Sequence, residues 1–344
     1  MPEPQRRSCD LEASNPFVFV VGCPRSGTTL LQRMLDSHPA LAVANDSHFI
    51  PRCMEKVAPE LVAPASNGAP VPLSTELVDG VEGYHRLRRL GLSEEQGRQA
   101  ARGVGDYGSY VAALYTAFAA RHGKRLGGEK TPDYVRRLPL LAGLFPEARF
   151  IHIIRDGRDV ALSVMGWAHE KKGPGKLEMW ADSPLATSAL WWAWQVESGR
   201  SAGRALADER YLEVGYERLV REPGVELNRI ASFLNLPFAD EMLRYHEGKT
   251  RSDPGKSAKS NWLPPTPGLR NWRDQMTPRD VELFEALTGD LLDALDLRRG
   301  VAAVSPEAAA EAANHHACWQ DHLRRRREKI ERRLRRARGE VSPG

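Results

Sequence analysis

The chain has 344 residues, of which 41% are hydrophobic and 27% are charged. This length suits one large globular domain or two modest ones and is sufficient to bury a core. No apolar run is long enough for a transmembrane helix, and the run at 17–21 is too short for a signal peptide. The four cysteines have no C-x-x-C spacing, which argues against a disulfide framework or a cysteine zinc site. These features favour a soluble cytoplasmic protein.

Charge is distributed unevenly along the sequence. The net charge is +4, yet between His322 and Arg338 nine Arg and one Lys stand against two Glu, a balance of +8. The remainder therefore carries −4, so a mildly acidic body precedes a strongly basic tail. Four interpretations of the tail stay open: it docks on the body, pairs with another chain, contacts anionic lipid, or forms a solvated, partly frayed helix. No specific nucleic acid is expected as a partner.

The predicted elements alternate between strands and helices. Residues 1–15 resemble a disordered leader, 17–21 a strand, and 41–44 a second strand after an intervening helix. A Pro- and Ala-rich stretch at 51–72 predicts an irregular excursion. The later predicted elements are helices near 93–102 and 108–122, an extended segment at 125–131, a helix at 135–144, a buried strand at 148–154, helices at 159–167 and 184–206, a strand at 211–215, a helix at 225–234, a loop at 251–268 and a helix at 277–295.

This alternation predicts an α/β domain with a P-loop-like three-layer fold, in which a central parallel sheet is flanked by helices. The composition becomes Ala-rich and then Arg-rich near the C-terminal end. We therefore place the domain at residues 16–298 and a basic, helical C-terminal extension at 299–344.

A glycine-bearing turn, GCPRSGTT, joins the first strand to the first helix at Gly22 to Thr29. Such a turn cradles phosphate because free N–H groups and the helix dipole converge on the anion. The spacing G-x-x-x-x-G matches a Walker A loop, but Thr28 stands where the loops of nucleoside-triphosphate enzymes have Lys. The cation in this loop is Arg25 instead, whose planar guanidinium can donate two hydrogen bonds to one phosphate. Thr28 and Thr29 add hydroxyl donors. A simple strand-to-helix turn is the alternative interpretation.

The run from Pro24 to Thr29 resembles the 5′-phosphosulfate loop of sulfotransferases that use 3′-phosphoadenylyl sulfate (PAPS). It is similar to that of tyrosylprotein sulfotransferases and their bacterial relatives. Three further motifs follow in the family's order: EKTP at 129–132, RDGRDVALS at 155–163 and YERLV at 216–220. The cofactor-binding residues implied by the resemblance are Arg25, Ser26, Gly27, Thr28 and Thr29 on the 5′ side, Arg155 and Ser163 at the 3′-phosphate, and Tyr216 at the nucleotide.

The residue chemistry agrees with a donor that carries two phosphate sites, because two basic, hydroxyl-bearing segments lie at strand ends. Sulfuryl transfer needs no divalent metal, so no metal is expected. Asp156, after the strand FIHII, is the alternative as a metal-holding carboxylate, but Arg155 and Arg158 beside it would repel magnesium.

An acceptor hydroxyl must lose its proton during attack, so a base is expected near the phosphosulfate loop. The segment after the second strand contains Asp46 and His48. The resemblance implies that Asp46 corresponds to the second acidic residue of a Glu-Glu-Thr-Arg segment, although Asp is one methylene shorter than Glu. His48 is the alternative base because its ordinary pKa suits proton transfer near neutrality, and a helix cap is the structural alternative for Asp46. The resemblance assigns Lys130 to the sulfuryl group or the bridging oxygen, where a cation would stabilise the leaving phosphate.

Five tryptophans at 167, 180, 191, 192 and 194 would line an acceptor pocket or pack in the core, and core packing is favoured for at least half of them. Downstream, Asn271-Trp272-Arg273 is similar to part of a family motif, whereas Lys256, Lys259 and Arg270 receive no assigned role.

We expect an enzyme that transfers the sulfuryl group of PAPS to an alcohol or phenol on a small molecule or peptide, releasing adenosine 3′,5′-bisphosphate (PAP). Two alternatives remain at this point: a P-loop kinase or other nucleotide phosphotransferase, and a non-catalytic adaptor that acts through the basic tail. The sequence leaves the acceptor and the oligomeric state open.

Overall fold

A five-stranded, fully parallel sheet forms the centre of the computed structural model, which describes residues 15–167, 177–247, 268, 270–337 and 340. The spatial order of the strands is β2-β3-β1-β4-β5. The strands are β1 (Val18–Val21), β2 (Leu41–Asn45), β3 (Leu126–Lys130), β4 (Arg149–Ile154) and β5 (Tyr211–Gly215).

Helices cover both faces of this sheet, as the sequence pattern predicts. The α-helices are α1 (Thr28–Asp36), α2 (Phe49–Val57), α3 (Val62–Ser66), α4 (Thr75–Glu82), α5 (Glu94–Ala101), α6 (Tyr107–Arg121), α7 (Leu138–Leu144), α8 (Gly157–Trp167), α9 (Pro184–Gly203), α10 (Tyr216–Arg221), α11 (Pro223–Phe233), α12 (Trp272–Gln275), α13 (Pro278–Ala294) and α14 (Pro306–Ala337). Short 3-10 helices are Pro59–Leu61, Leu87–Leu90, Pro132–Arg137, Glu178–Trp180 and Asp240–Met242.

Side chains of β1 alternate between the two faces, as the pleat of a strand requires. Val18 and Val20 pack in the core under α1 and α11, whereas Phe19 and Val21 pack in the core under α2, α6 and α7. A third group of buried apolar residues joins α8, α9 and α13. These packed layers confirm the predicted three-layer α/β fold.

The position of β1 in the sheet determines where a ligand can bind. After β1 the chain runs to β2 and β3 on one side and then crosses to β4 and β5 on the other. In open parallel sheets, ligands bind outside the carboxyl ends of the strands at such a switch point. The ends of β1, β3 and β4 meet there, since Val20 is in register with both Lys130 and Ile151.

The prediction of irregular structure at 51–72 is wrong, because most of these residues are helical. This stretch contains most of α2, a 3-10 helix and α3, followed by α4, whose first turn is capped by the Ser74 side chain accepting from the Leu77 N–H. These helices are short and rich in Pro and Ala, so their periodicity is too brief to be recognised. Residues 1–14 of the predicted leader and 251–267 of the predicted loop lie outside the described residues, whereas Asn15 is buried and accepts from the Gly127 N–H.

The C-terminal helix α14 packs against the body through its first half. Ala308, Ala312 and Trp319 are buried, and the Trp319 ring lies edge-on to Trp194 with 5.9 Å between centroids. Further along, Ile330 is 45% exposed among arginines. No helix within the described part of the chain is both long and apolar enough to cross a membrane.

Candidate active site

The turn between β1 and α1 has the geometry of an anion-binding loop. Gly22, Arg25 and Gly27 all have positive φ, at 154°, 78° and 90°. A Cβ on Gly27 would lie 2.3 Å from the Tyr216 ring, and a Cβ on Gly22 would lie 2.4 Å from the Ile153 carbonyl oxygen. Glycine is therefore required at both positions. The helix start that follows leaves its first-turn N–H groups without partners inside the helix, aimed at the loop.

Four residues predicted to bind the cofactor, from three separate parts of the sequence, meet at this loop. The Arg25 Nε donates to Ser163 Oγ at 3.0 Å, and Arg155 Nη1 donates to the Arg25 carbonyl oxygen at 3.4 Å. The Arg155 guanidinium carbon lies 4.5 Å from the centroid of the Tyr216 ring. The loop, the segment after β4 with α8, and the start of α10 thus form one corner.

This corner has the character of an anion site. Burial, the positive charge of Arg155 and that of Arg270 all lower the pKa of Arg25. Within the described residues, Ser26 Oγ and Arg155 Nε are buried without a hydrogen-bond partner. Buried polar groups of this kind are normally satisfied, and clustered guanidinium groups favour a phosphate or sulfate. The residues present therefore fit a nucleotide that carries more than one phosphate.

Asp156 has a structural role that competes with metal binding. Its Oδ1 accepts from Arg158 Nε at 2.9 Å, and its Oδ2 accepts from Arg158 Nη2 at 2.7 Å and from Trp272 Nε1 at 3.0 Å. Arg158 also donates to Glu285 Oε1 at 2.5 Å. Trp272, in the segment similar to a downstream family motif, thus packs behind α8. Across the described ranges, no three His, Cys, Asp or Glu side chains are grouped as a metal would need.

Lys130, at the end of β3, joins the phosphate loop to the predicted base. Its Nζ lies 3.1 Å from Asp46 Oδ2 and donates to Thr29 Oγ1 at 3.4 Å. The side chain is 1% exposed, and burial lowers the pKa of Lys130 while the nearby Asp46 carboxylate raises it. The structure therefore places the predicted cation and the predicted base in direct contact.

His48 lies two residues further along, at the start of α2. Burial, with the positive charges of Arg52 and Arg86, lowers the pKa of His48 to about 4. Its imidazole is then neutral at pH 7 but is a weak base, since efficient bases have a pKa near the working pH. Asp46 is linked to the loop through Lys130 and Thr29, whereas His48 lies two residues away in the same turn. The choice between the two bases stays a prediction.

Sequence reasoning missed two groups of residues at this site. Arg86 and Arg89 surround Asp46: Arg86 Nη1 donates to its carbonyl oxygen at 3.5 Å, and Arg89 Nη1 lies 3.8 Å from its Oδ2. Glu129 is fully buried beside Lys130 and accepts from the Ser47 N–H. Arg89 lies in the 3-10 helix Leu87–Leu90 and Arg86 directly precedes it, in a segment that carries no sequence motif. In the sequence, Glu129 stands out only as part of the EKTP run.

The tryptophans are mostly core residues. Trp180, Trp191 and Trp192 are buried, and Trp192 Nε1 donates to the Arg155 carbonyl oxygen at 3.1 Å. Trp194 stacks under the Arg136 guanidinium, 4.4 Å from the ring centroid. Core packing, the favoured interpretation, is thus confirmed for three of the five, while the Trp167 side chain lies outside the described part of the structure.

Comparison with known proteins agrees with this geometry. The sequence matches the model of the sulfotransferase family over residues 16–240, a span that contains both strand-end motifs and Tyr216. This chain belongs to the sulfotransferase family.

Individual sulfotransferases show the extent of the likeness. Protein-tyrosine sulfotransferase A of Caenorhabditis elegans is 24% identical over 236 residues, which cover 68% of this chain and 53% of that protein. Protein-tyrosine sulfotransferase 1 of Danio rerio is 26% identical over 306 residues, which cover 88% of this chain and 73% of that protein. The sulfotransferase domain of the Synechococcus PCC 7002 olefin synthase shares the fold, with 25% identity and a TM-score of 0.54 over 80% of this chain and 93% of that one. This chain thus matches about half the length of the worm relative.

Proposed function

We propose that the protein transfers the sulfuryl group of PAPS to an acceptor hydroxyl and releases PAP. The observation that carries this proposal is the corner where Arg25 and Arg155 converge, with the buried donors Ser26 Oγ and Arg155 Nε lacking partners among the described residues. On this proposal the loop and its helix N-terminus bind the 5′ side, and the Arg155 guanidinium binds the 3′-phosphate. Family membership supports the same reaction class.

PAPS, when bound, supplies an activated sulfuryl group whose leaving group is a phosphate. On this proposal, Ser26, Thr28 and Thr29 bind the 5′ side together with Arg25. Arg155 and Ser163 hold the 3′-phosphate, and the contact of Tyr216 with Arg155 supports the proposal that the Tyr216 ring faces the nucleotide. Lys130, already within 3.4 Å of Thr29 Oγ1, stabilises negative charge that grows on the leaving phosphate.

Asp46 removes the acceptor proton in this proposal. Its carboxylate is 31% exposed, so it is open to an incoming hydroxyl, while its pairing with Lys130 fixes it at the donor end. His48 is the second candidate because it lies in the same turn. Its depressed pKa makes it the weaker base at neutral pH.

The acceptor is proposed to be a phenol or alcohol that carries negative charge nearby. Arg52, Arg86 and Arg89 lie around the Asp46–His48 turn, and their field favours an anionic substrate. The Caenorhabditis elegans and Danio rerio relatives are called protein-tyrosine sulfotransferases. A peptide in which acidic residues flank a tyrosine is therefore the first acceptor to test. A hydroxylated small molecule is the second.

The test is calorimetric titration of the purified protein with PAP in the absence of metal, beside ATP with magnesium. PAP is expected to bind without metal and at least about tenfold more tightly than ATP, a difference of about 1.4 kcal/mol. Tighter binding of magnesium ATP would overturn the proposal in favour of a phosphotransferase. Labelled PAPS is then incubated with acidic and neutral tyrosine peptides, and faster labelling of the acidic peptide is expected.

A further inference from the structure

The turn that links β2 to α2 is held in a costly conformation. Asp46 and His48, neither of them glycine, have φ of 53° and 61°. A left-handed backbone costs a residue with a Cβ free energy, and it persists only where the surroundings fix it. This turn, residues 46–48, carries both candidate bases, so whatever fixes it also fixes the base.

Glu129 is bound to the middle of this turn. Its Oε1 accepts from the Ser47 N–H at 3.0 Å and also from the Thr131 hydroxyl. Its Oε2 accepts from the Tyr115 hydroxyl at 2.6 Å. Ser47 is the residue between the two left-handed positions, so a single carboxylate ties the turn to β3 and α6.

The carboxylate lies on the opposite face of the sheet from the phosphate loop. Glu129 is in register with Phe19, whereas its neighbour Lys130 is in register with Val20 and reaches Thr29. Successive side chains of a strand point to opposite faces. Glu129 is therefore placed to act on the reaction through the turn rather than by touching the nucleotide.

Burying the Glu129 carboxylate costs desolvation free energy, which indicates that its contact with the turn has a functional role. The side chain is fully buried, and burial raises the pKa of Glu129 although the bonds from Thr131, Tyr115 and Ser47 oppose that rise. An apolar residue would fill the same space in a sheet without this desolvation cost. A second bond, from the Asp46 N–H to the Lys130 carbonyl oxygen at 2.7 Å, holds the turn from the backbone of the same strand.

We propose that Glu129 is a positioning residue that fixes the 46–48 turn so that Asp46 faces both Lys130 and the acceptor. This inference rests on the proposed sulfuryl transfer. It adds to the site a residue that contacts neither nucleotide nor acceptor.

Two substitutions separate hydrogen bonding from the space that Glu129 fills. In Glu129→Gln the amide oxygen still accepts from Ser47 and Thr131, and its NH₂ can donate to the Tyr115 oxygen. In Glu129→Ala none of these bonds remains. We expect kcat to fall about 30- to 100-fold in the alanine variant and at most about fivefold in the glutamine variant, with the Kd for PAP within about threefold of wild type in both. Equal kcat in the two variants, or loss of PAP binding in the glutamine variant, would overturn the positioning role.

A double-substitution cycle tests whether Glu129 acts through Asp46. In an Asp46→Asn background, Glu129→Ala should lower kcat by no more than about threefold further, because the group that it positions is already disabled. A full multiplicative loss would mean that Glu129 acts on another residue. Glu129→Leu, which fills a similar volume but accepts no hydrogen bond from the Ser47 N–H, replaces Glu129→Ala in the cycle if the alanine variant does not fold.

A readout that needs no activity separates this inference from the proposed function. The Ser47 amide hydrogen should exchange slowly in the wild type and in Glu129→Gln, and at least about tenfold faster in Glu129→Ala. The Leu126 amide, which donates to the Ala40 carbonyl oxygen at 3.0 Å, is the matched control and should not change. If the wild type binds no PAP, the proposed function fails while Ser47 exchange still tests the anchoring of the turn. If the wild type is active and Glu129→Ala keeps both kcat and Ser47 protection, the positioning role alone fails.

Discussion

Arg155 is the residue on which discrimination of the 3′-phosphate depends in the proposed complex. Its guanidinium is buried between Tyr216 and Asp159, and Nη2 donates to Asp159 Oδ2 at 3.3 Å while Nε lacks a partner among the described residues. We expect Arg155→Ala to weaken PAP binding about 10- to 100-fold, because a charged hydrogen bond is lost. Binding of 5′-AMP, which has no 3′-phosphate, should weaken about threefold or less. Calorimetry with both nucleotides makes the comparison.

The control for Arg155 is Arg221→Ala, which removes an exposed guanidinium paired with Glu222 at 3.3 Å. It should leave both affinities unchanged, since exposed pairs contribute little. Equal losses of PAP and 5′-AMP binding in Arg155→Ala would remove Arg155 from the 3′-phosphate site.

Asp46 and His48 can be separated by their effects on turnover. We expect Asp46→Asn to reduce kcat at least about 100-fold, in keeping with loss of a general base, while PAP affinity stays within about threefold. Single-turnover assays with labelled PAPS measure the first quantity and calorimetry the second. His48→Gln, the matched variant in the same turn, should keep most of the rate. An active Asp46→Asn paired with an inactive His48→Gln would move the base to His48.

The Asp46 variant also tests the charge of Lys130. Burial lowers the pKa of Lys130, and the Asp46 carboxylate is the main group that raises it. Replacing that carboxylate by an amide should lower the pKa further, so Lys130 loses its proton at a lower pH than in the wild type. Residual activity of Asp46→Asn should therefore decline on the alkaline side at lower pH than wild-type activity does.

At the scale of elements, the turn between β1 and α1 depends on glycine. We expect Gly27→Ala to weaken PAP binding at least about tenfold, because position 27 has a φ of 90° and an added Cβ would meet the Tyr216 ring at 2.3 Å. The conformational strain alone is worth about 1–3 kcal/mol, so the melting temperature should fall as well. Gly224→Ala is the matched control, since an added Cβ there meets no atom within 4 Å. Unchanged PAP affinity in Gly27→Ala would show that the loop does not bind the nucleotide.

The elements that could be predicted from sequence are those with local signatures. The buried strand at Arg149–Ile154 and the glycine turn after β1 are encoded within a few residues each. The pairing of Lys130 with Asp46 could not be predicted, because it depends on the register that sets Asn45 beside Lys130 across two strands. Glu129 was overlooked for the same reason: its partners Ser47 and Tyr115 come from distant elements.

At the scale of the whole molecule, α14 combines two parts with different surroundings. Its first half is fixed to α9 and α13 by Ala308, Ala312 and Trp319, and Arg326 reaches back to lie 5.5 Å from the Trp194 ring centroid. Beyond Arg326 the side chains are mainly exposed and basic. The sequence predicted this helix and its charge, but its anchored length depends on Trp194, a residue more than a hundred positions earlier.

Two truncations distinguish the anchored half of α14 from its basic end. Removing residues after Arg327 should leave the melting temperature, PAP affinity and kcat close to those of the full chain, because the exposed end contributes little to folding or to the site. Removing residues after Gly300 should destabilise the protein by at least about 3 kcal/mol, since it uncovers the surface around Trp194 that Trp319 buries. Trp319→Ala in the full chain should reproduce most of that loss, which chemical denaturation measures. If truncation after Arg327 abolished turnover while PAP still bound, the basic end would have to take part in acceptor binding. An adaptor that acts only through the tail would lose its function in the same truncation, although the sulfotransferase domain stayed folded.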